Sequence, residues 1–253
     1  MSHIIAILNQ KGGVGKTTTT INLASYLAKL GKTVLVVDLD PQGNATSGFG
    51  ISKQELNVGT YEVLLGKAKL ESAIIEAPGE EGVYLLPTGQ GLATAELELA
   101  NLSEREFTLR KALSTSGHDY VLIDCPPALS LLTVNALTAA TSLLIPVQSE
   151  YYALEGLTQL LEVTQQVRQG LNPKLELLGV LMTMYDSRTS LSEQVKGEVA
   201  QYFGDKLFDT VIPRNVRLAE APSHGKPISS YDKWSKGARA YKQLAKEVRQ
   251  RAG

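Results

Sequence analysis

The chain has 253 residues, 25 Lys and Arg against 26 Asp and Glu, and a formal net charge of −1; this length buries a substantial core and, with mixed strand and helix signals, usually forms one domain, here 1–253. One cysteine excludes a disulfide framework and a four-thiolate metal site within one chain. No apolar run nears the roughly 18 residues of a membrane span and no charged-then-apolar leader opens the chain, so a cytoplasmic location without a membrane partner is expected.

Ile4-Ile5-Ala6-Ile7-Leu8 is a short, mostly β-branched run that leads into Asn9-Gln10-Lys11-Gly12-Gly13-Val14-Gly15-Lys16-Thr17-Thr18. Apolar run, glycines, then helix formers predict strand, tight loop and a helix over 17–30. Glycines let successive backbone N–H groups turn inward around a phosphate chain, and the helix adds the positive end of its dipole. Lys16 is placed to reach the β- and γ-phosphates, and the Thr17 hydroxyl to ligate the Mg²⁺ they carry. The backbone of Lys11, Gly12, Gly13, Val14, Gly15 and Thr18 completes a cradle for a nucleoside triphosphate. The general P-loop pattern asks for glycine where this chain has Gln10, and a second lysine, Lys11, opens the loop.

Farther along, strands are predicted near 33–37, 83–86, 120–124, 142–147, 177–183 and 210–212, with helices at 104–115, 153–169, 190–203 and 236–250. Ala77 to Gly82 reads as a connection. Val34 to Val37 and Val121 to Ile123 are continuously apolar, as strands are when helices cover both faces of a parallel sheet. The expected fold class is therefore α/β, a P-loop domain with a mostly parallel twisted sheet between helical layers. Ligands of such sheets gather at the carboxyl ends of the strands, which places the loops after 8, 37, 124 and 183 together.

Asp124 ends an apolar strand, where a carboxylate aligns the metal on the phosphates. Asp38 and Asp40 stand two apart, so in an extended segment both face one side. Charge is uneven: from Asp232 to Arg251, Lys233, Lys236, Arg239, Lys242, Lys246, Arg249 and Arg251 oppose Asp232 and Glu247, a local +5 that leaves −6 for the rest. On a helix from Lys236 the basic residues fall on one side, and Tyr241, Leu244, Ala245 and Val248 on the other.

Lys11-Gly12-Gly13-Val14-Gly15-Lys16-Thr17 resembles the deviant Walker A box of the ParA/MinD family. Val34 to Asn44 and Tyr120 to Pro127 resemble that family's second nucleotide-facing segment and its Walker B strand. Pro146 to Leu157 and Val211 to Pro222 are most similar to the chromosome-partitioning, Soj-type branch, so the resemblance spans essentially the whole chain. It implies that Asp40 orients the attacking water, that Asp38 lies near the metal and Thr17, and that Lys11 crosses to the nucleotide of a second subunit. Gly12 and Gly13 then lie where the two loops meet. It also implies a base site near Met182, Pro213 and Asn215, the alternative for Asn215 being a cap on the helix that starts at Val216. Glu150 is implied at a ribose or the partner subunit. The implied protein is an ATP-sandwiched homodimer that binds double-stranded DNA without sequence preference through Arg188, Arg217, Lys233, Lys236 and Lys242. A ParB-type centromere-binding partner and a place on the nucleoid follow from the same resemblance. The rival is MinD-type membrane recruitment; the iron protein of nitrogenase is excluded by the single cysteine.

Overall fold

The computed structural model describes residues 2–89, 91–150 and 155–252. Seven strands form one sheet: β1 (His3–Ile7), β2 (Val34–Asp38), β3 (Ile75–Glu76), β4 (Val83–Leu86), β5 (Tyr120–Asp124), β6 (Ser142–Gln148) and β7 (Glu176–Thr183). Their order is β3-β4-β2-β5-β1-β6-β7, all pairs parallel except the short β3 hairpinned on β4. The helices are α1 (Lys16–Lys29), α2 (Asn44–Gly48), α3 (Thr60–Leu64), α4 (Leu70–Ala73), α5 (Ala95–Leu99), α6 (Thr108–Leu113), α7 (Leu131–Ala139), α8 (Glu155–Gly170), α9 (Ser190–Phe203), α10 (Val216–Glu220), α11 (Ile228–Tyr231) and α12 (Lys236–Ala252).

The continuous apolar strands are buried on both sides because their side chains alternate between two cores. Leu35, Val37, Val121 and Ile123 join one, with Leu109, Leu132 and Leu160 from α6, α7 and α8. Val34, Val36, Tyr120 and Leu122 join the other, with Leu23 and Leu27 of α1 and Tyr241, Leu244 and Val248 of α12. The apolar face of the last helix is thereby spent on α1.

Two expectations change. The chain near 210–212 forms no strand, although Phe208 N donates to Val180 O and Ile212 N to Met182 O along the β7 edge. Between them the amides of Asp209 and Thr210 donate to the Glu247 carboxylate of α12, at 2.9 and 3.0 Å, which breaks the ladder. The helix expected over 104–115 is shorter, a single 3₁₀ turn at Arg105–Phe107 leading into α6. Residues 153–154, the expected start of the helix over 153–169, lie outside the described residues.

Candidate active site

Strand order brings the motifs together. β1 lies between β5 and β6, and Ile7, Asp38 and Asp124 stand level across β1, β2 and β5. Asn9 locks the loop that follows β1: its Nδ2 donates to Pro146 O at 2.7 Å and its Oδ1 accepts from Lys11 N at 3.0 Å. Thr183 Oγ1 donates to Val14 O at 2.8 Å and ties the loop to the end of β7. Gly13 and Gly15 have φ of 76° and 89°, left-handed values that only glycine adopts cheaply. Gly15 caps α1 without a side chain, so the first amides of the helix stay available to an anion.

The two lysines occupy unlike environments. Lys16 is buried and its Nζ donates back to Lys11 O at 3.2 Å, across the mouth of the loop. Burial lowers its pKa, opposed by Asp124, Cys125 and Asp40. Lys11 points outward, half exposed, and pairs with Glu150 at 2.7 Å; Glu150 also accepts from Gln148 Nε2 at 2.5 Å. An ion pair this exposed holds by no more than about 1 kcal/mol.

Thr17 Oγ1 donates to Asp124 Oδ2 at 2.8 Å, and Thr20 Oγ1 to Asp124 Oδ1 at 3.2 Å. Asp38 is held differently: its Oδ2 accepts from Thr46 N and Oγ1 at 2.7 and 2.6 Å, and its Oδ1 from Asp40 N at 3.3 Å. The hydroxyl that would face a metal is therefore bonded to Asp124, with Asp38 braced against α2. Asp40 is nearly buried, and its Oδ1 accepts from Gln42 N at 2.9 Å. Thr88 Oγ1 donates to Asp38 O at 2.6 Å and Asp40 O at 3.2 Å, and Thr60 Oγ1 to Asp38 O at 2.9 Å. Thr46, Thr60 and Thr88 are supports that no motif signalled; the position of Thr88 just past the carboxyl end of β4 was the available hint.

Burial pushes the Asp124 carboxyl up to about 8, with the charge of Asp38 adding to it, and burial likewise pushes Asp38 up to about 6. Buried carboxylates that repel one another beside a threonine hydroxyl suit a divalent cation, whose charge would reverse both effects. Among the described residues no three His, Cys, Asp or Glu side chains form an all-protein metal cage. Mg²⁺ keeps waters and leans on substrate phosphates. The adjacent Cys125 thiol is buried and pushed up by that burial, so it is no nucleophile.

The raised carboxyls have a consequence for stability. An unfolded aspartate titrates near ~3.9. Because burial raises the Asp124 carboxyl well above that value, the folded state holds more protons than the unfolded one between the unfolded and the folded pKa. Ligand-free stability therefore falls as pH rises through the window. Asp124→Asn is expected to raise the melting temperature of the ligand-free protein at alkaline pH, to flatten its pH dependence, and to abolish the gain from Mg²⁺ added with nucleotide. Thermal denaturation with and without Mg²⁺ measures all three. A lower melting temperature for the variant at alkaline pH would mean that the bonds from Thr17 and Thr20 outweigh the desolvation.

Beside the loop lies a cavity of about 340 Å³ lined by residues that include Gly15, Thr18, Met184, Pro213, Asn215 and Tyr241. Its size suits a nucleobase. Among the described residues Asn215 Oδ1 is buried without a hydrogen-bond partner. Asn215 precedes α10 but makes no capping bond to it, so the cap alternative is absent. Met182 is a correction: it is wholly buried among Val180 and Val195, on the opposite face of the sheet. Alternation along β7 sends Met182 into that core. The methionine that lines the cavity is Met184, turned into place by a left-handed φ of 50°.

The cationic candidates lie outside this site. Arg188 is exposed and grips Asp186 through Nε and Nη2 at 2.9 and 2.7 Å. Arg217 pairs with Glu220 at 2.9 Å and with Asp232 at 3.6 Å. Lys233, Lys236, Arg239, Lys242, Lys246 and Arg249 are exposed at and along α12. Arg251 leaves the basic face: it donates to Leu207 O at 2.7 Å, pairs with Glu247 at 2.8 Å and covers the Phe208 ring.

A protein-family profile described as an AAA domain matches residues 2–177. The sporulation initiation inhibitor protein Soj of Bacillus subtilis is 56% identical over 250 residues, covering 98% of each chain. The chromosome-partitioning ATPase Soj of Thermus thermophilus is 55% identical over 244 residues, covering 96% of this chain and 94% of that one. In structure, cobyrinic acid a,c-diamide synthase from Mycobacterium smegmatis with bound ADP and magnesium matches with a TM-score of 0.86 at 40% identity, over 97% of this chain and 93% of that one. One nucleotide-binding architecture thus serves several outputs, and the output is argued from the site. With a Lys11-led P-loop, aspartates at the ends of β2 and β5, and relatives of this identity over nearly its full length, the chain belongs to the Soj/ParA family of chromosome-partitioning ATPases.

Proposed function

We propose that this chain is an ATP-driven dimerising switch that binds double-stranded DNA without sequence preference in its ATP state. With a ParB-type centromere-binding partner, it drives segregation of a chromosome or plasmid on the nucleoid in the cytoplasm. The contrast between the two lysines carries the proposal: Lys16 is buried inside the loop, whereas Lys11 is held outside it by a weak, exposed pair with Glu150. A lysine that its own loop does not enclose is free to cross to the nucleotide of a second subunit. Among the described residues a Cβ at Gly12 or Gly13 would meet nothing within 4 Å, which suits the approach of a second loop.

Thr17 and Asp124 would hold Mg²⁺ delivered with ATP, with Asp38 behind them, and the ion would neutralise charge on the phosphates. Asp40 orients the attacking water. Asn215, which lines the cavity, offers its carboxamide to the edge of the adenine ring. Dimerisation doubles the exposed basic surface of α12, which lets nucleotide gate DNA affinity. Membrane insertion of α12 is disfavoured because Tyr241, Leu244 and Val248 are already buried against α1.

The test is DNA binding with ATP, with ADP and with no nucleotide, using Asp40→Ala to hold the ATP state. Binding that requires ATP, ignores sequence and falls steeply with salt is expected. Equal binding in all three states, or none, would overturn the switch.

A further inference from the structure

The one tryptophan of the chain stands on the turn that leads into α12, with 79% of its surface exposed. A lone exposed apolar side chain is ordinary. This one stands on a hydrogen-bonded turn and has a cationic surround. Asp232 Oδ1 accepts from Trp234 N at 3.2 Å, and Asp232 O accepts from Ser235 N and Oγ at 3.2 and 2.9 Å. Ser235 Oγ in turn accepts from Ala238 N at 3.1 Å and caps the helix. Beneath the turn Gly237 is pressed on Leu218 so closely that a Cβ would come within 2.6 Å of it, which fixes α12 against α10 and brings Arg217 alongside.

Lys233 Nζ lies 5.3 Å from the centre of the indole, and Lys236 is exposed one turn on. The acidic groups of this patch, Asp232 and Glu220, both face Arg217, which leaves the two lysines unopposed by them. Exposed Arg239 and Lys242 continue the positive stripe along α12. Lysines alone give a purely ionic grip on a polyanion, whereas an aromatic ring among them adds a contact that salt does not screen.

We propose that Trp234, Lys233 and Lys236 form a duplex-DNA contact in which the indole seats against deoxyribose and base edges while the two ammonium groups hold the flanking phosphates. This rests on the DNA-binding reading above and adds a site within it. Because the tryptophan is unique, its own emission reports the contact.

The experiment titrates Asp40→Ala protein with ATP against labelled duplex, reading DNA anisotropy and tryptophan emission together. Emission is expected to quench and shift to shorter wavelength in step with the anisotropy. Adding Trp234→Ala should lower affinity by about fivefold through the lost apolar burial, with the salt slope unchanged. Trp234→Phe should recover most of that loss. Lys233→Ala with Lys236→Ala should instead flatten the slope by about 1.8. An unchanged melting temperature shows that Trp234→Ala is folded. Duplex binding with silent emission and unaltered affinity in Trp234→Ala overturns this contact and leaves the DNA switch standing. No duplex binding at all overturns both. An emission shift with phosphatidylglycerol vesicles but not with duplex assigns the turn to a lipid surface and overturns the proposal.

Discussion

Asp40→Ala is expected to lower ATP hydrolysis by about 10²- to 10⁴-fold, the range that a positioned acid–base group supplies, while ATP binding persists. Asp40 sits at the carboxyl end of β2, almost buried, and one of its oxygens is occupied by Gln42 N. Among the described residues its second oxygen accepts no hydrogen bond, which leaves it for a water. Thr88 and Thr60 grip the carbonyls on either side of Leu39, so the carboxylate is held by the backbone and not by a charged partner. Its loss should therefore spare the fold and the cradle. Phosphate release under single-turnover conditions, beside ATP affinity from a fluorescent analogue, separates the two effects. Unchanged hydrolysis would remove Asp40 from the chemistry.

Lys11→Ala is expected to reduce turnover by about 10³-fold or more, the effect of withdrawing a cation supplied across an interface. ATP affinity should change little, because Lys16 fills the loop from within and Lys11 faces Glu150. The ATP-dependent dimer should be lost as well. Lys16→Ala must behave differently and abolish ATP binding itself. Sedimentation with ATP, together with single-turnover hydrolysis, makes the comparison. A Lys11→Ala protein that dimerises and hydrolyses normally would show that the outward lysine is only a surface charge. The weak pair with Glu150 suits the crossing: it parks the lysine at a cost that a desolvated phosphate contact easily exceeds.

The phosphate cradle was legible residue by residue because it is contiguous: Gly12 to Thr18 folds on itself, and left-handed glycines, buried lysine and helix start are all local demands. The convergence of the three carboxylates was legible for a different reason. Asp38, Asp40 and Asp124 stand at or just beyond the ends of apolar strands, and in a parallel sheet such ends converge. The cavity beside the cradle was only half legible. Residues from both expected loops line it, yet the sequence named Met182 where the cavity takes Met184, since alternation along β7 and one left-handed residue decide which side chain faces which layer. The strand expected near 210–212 fails because Glu247, distant in sequence, draws off two amides.

By itself, then, the sequence determined the nucleotide loop, the layered parallel sheet and the position of the carboxylates, because each rests on short-range backbone chemistry or on hydrophobic periodicity. Only the tertiary structure decided that Lys11 is parked on Glu150, that Asn215 is an orphan acceptor rather than a cap, that Arg251 is an anchor, and that the apolar face of α12 is covered by α1. Those are contacts between segments far apart in the chain, fixed by packing and strand order, and no local pattern encodes them.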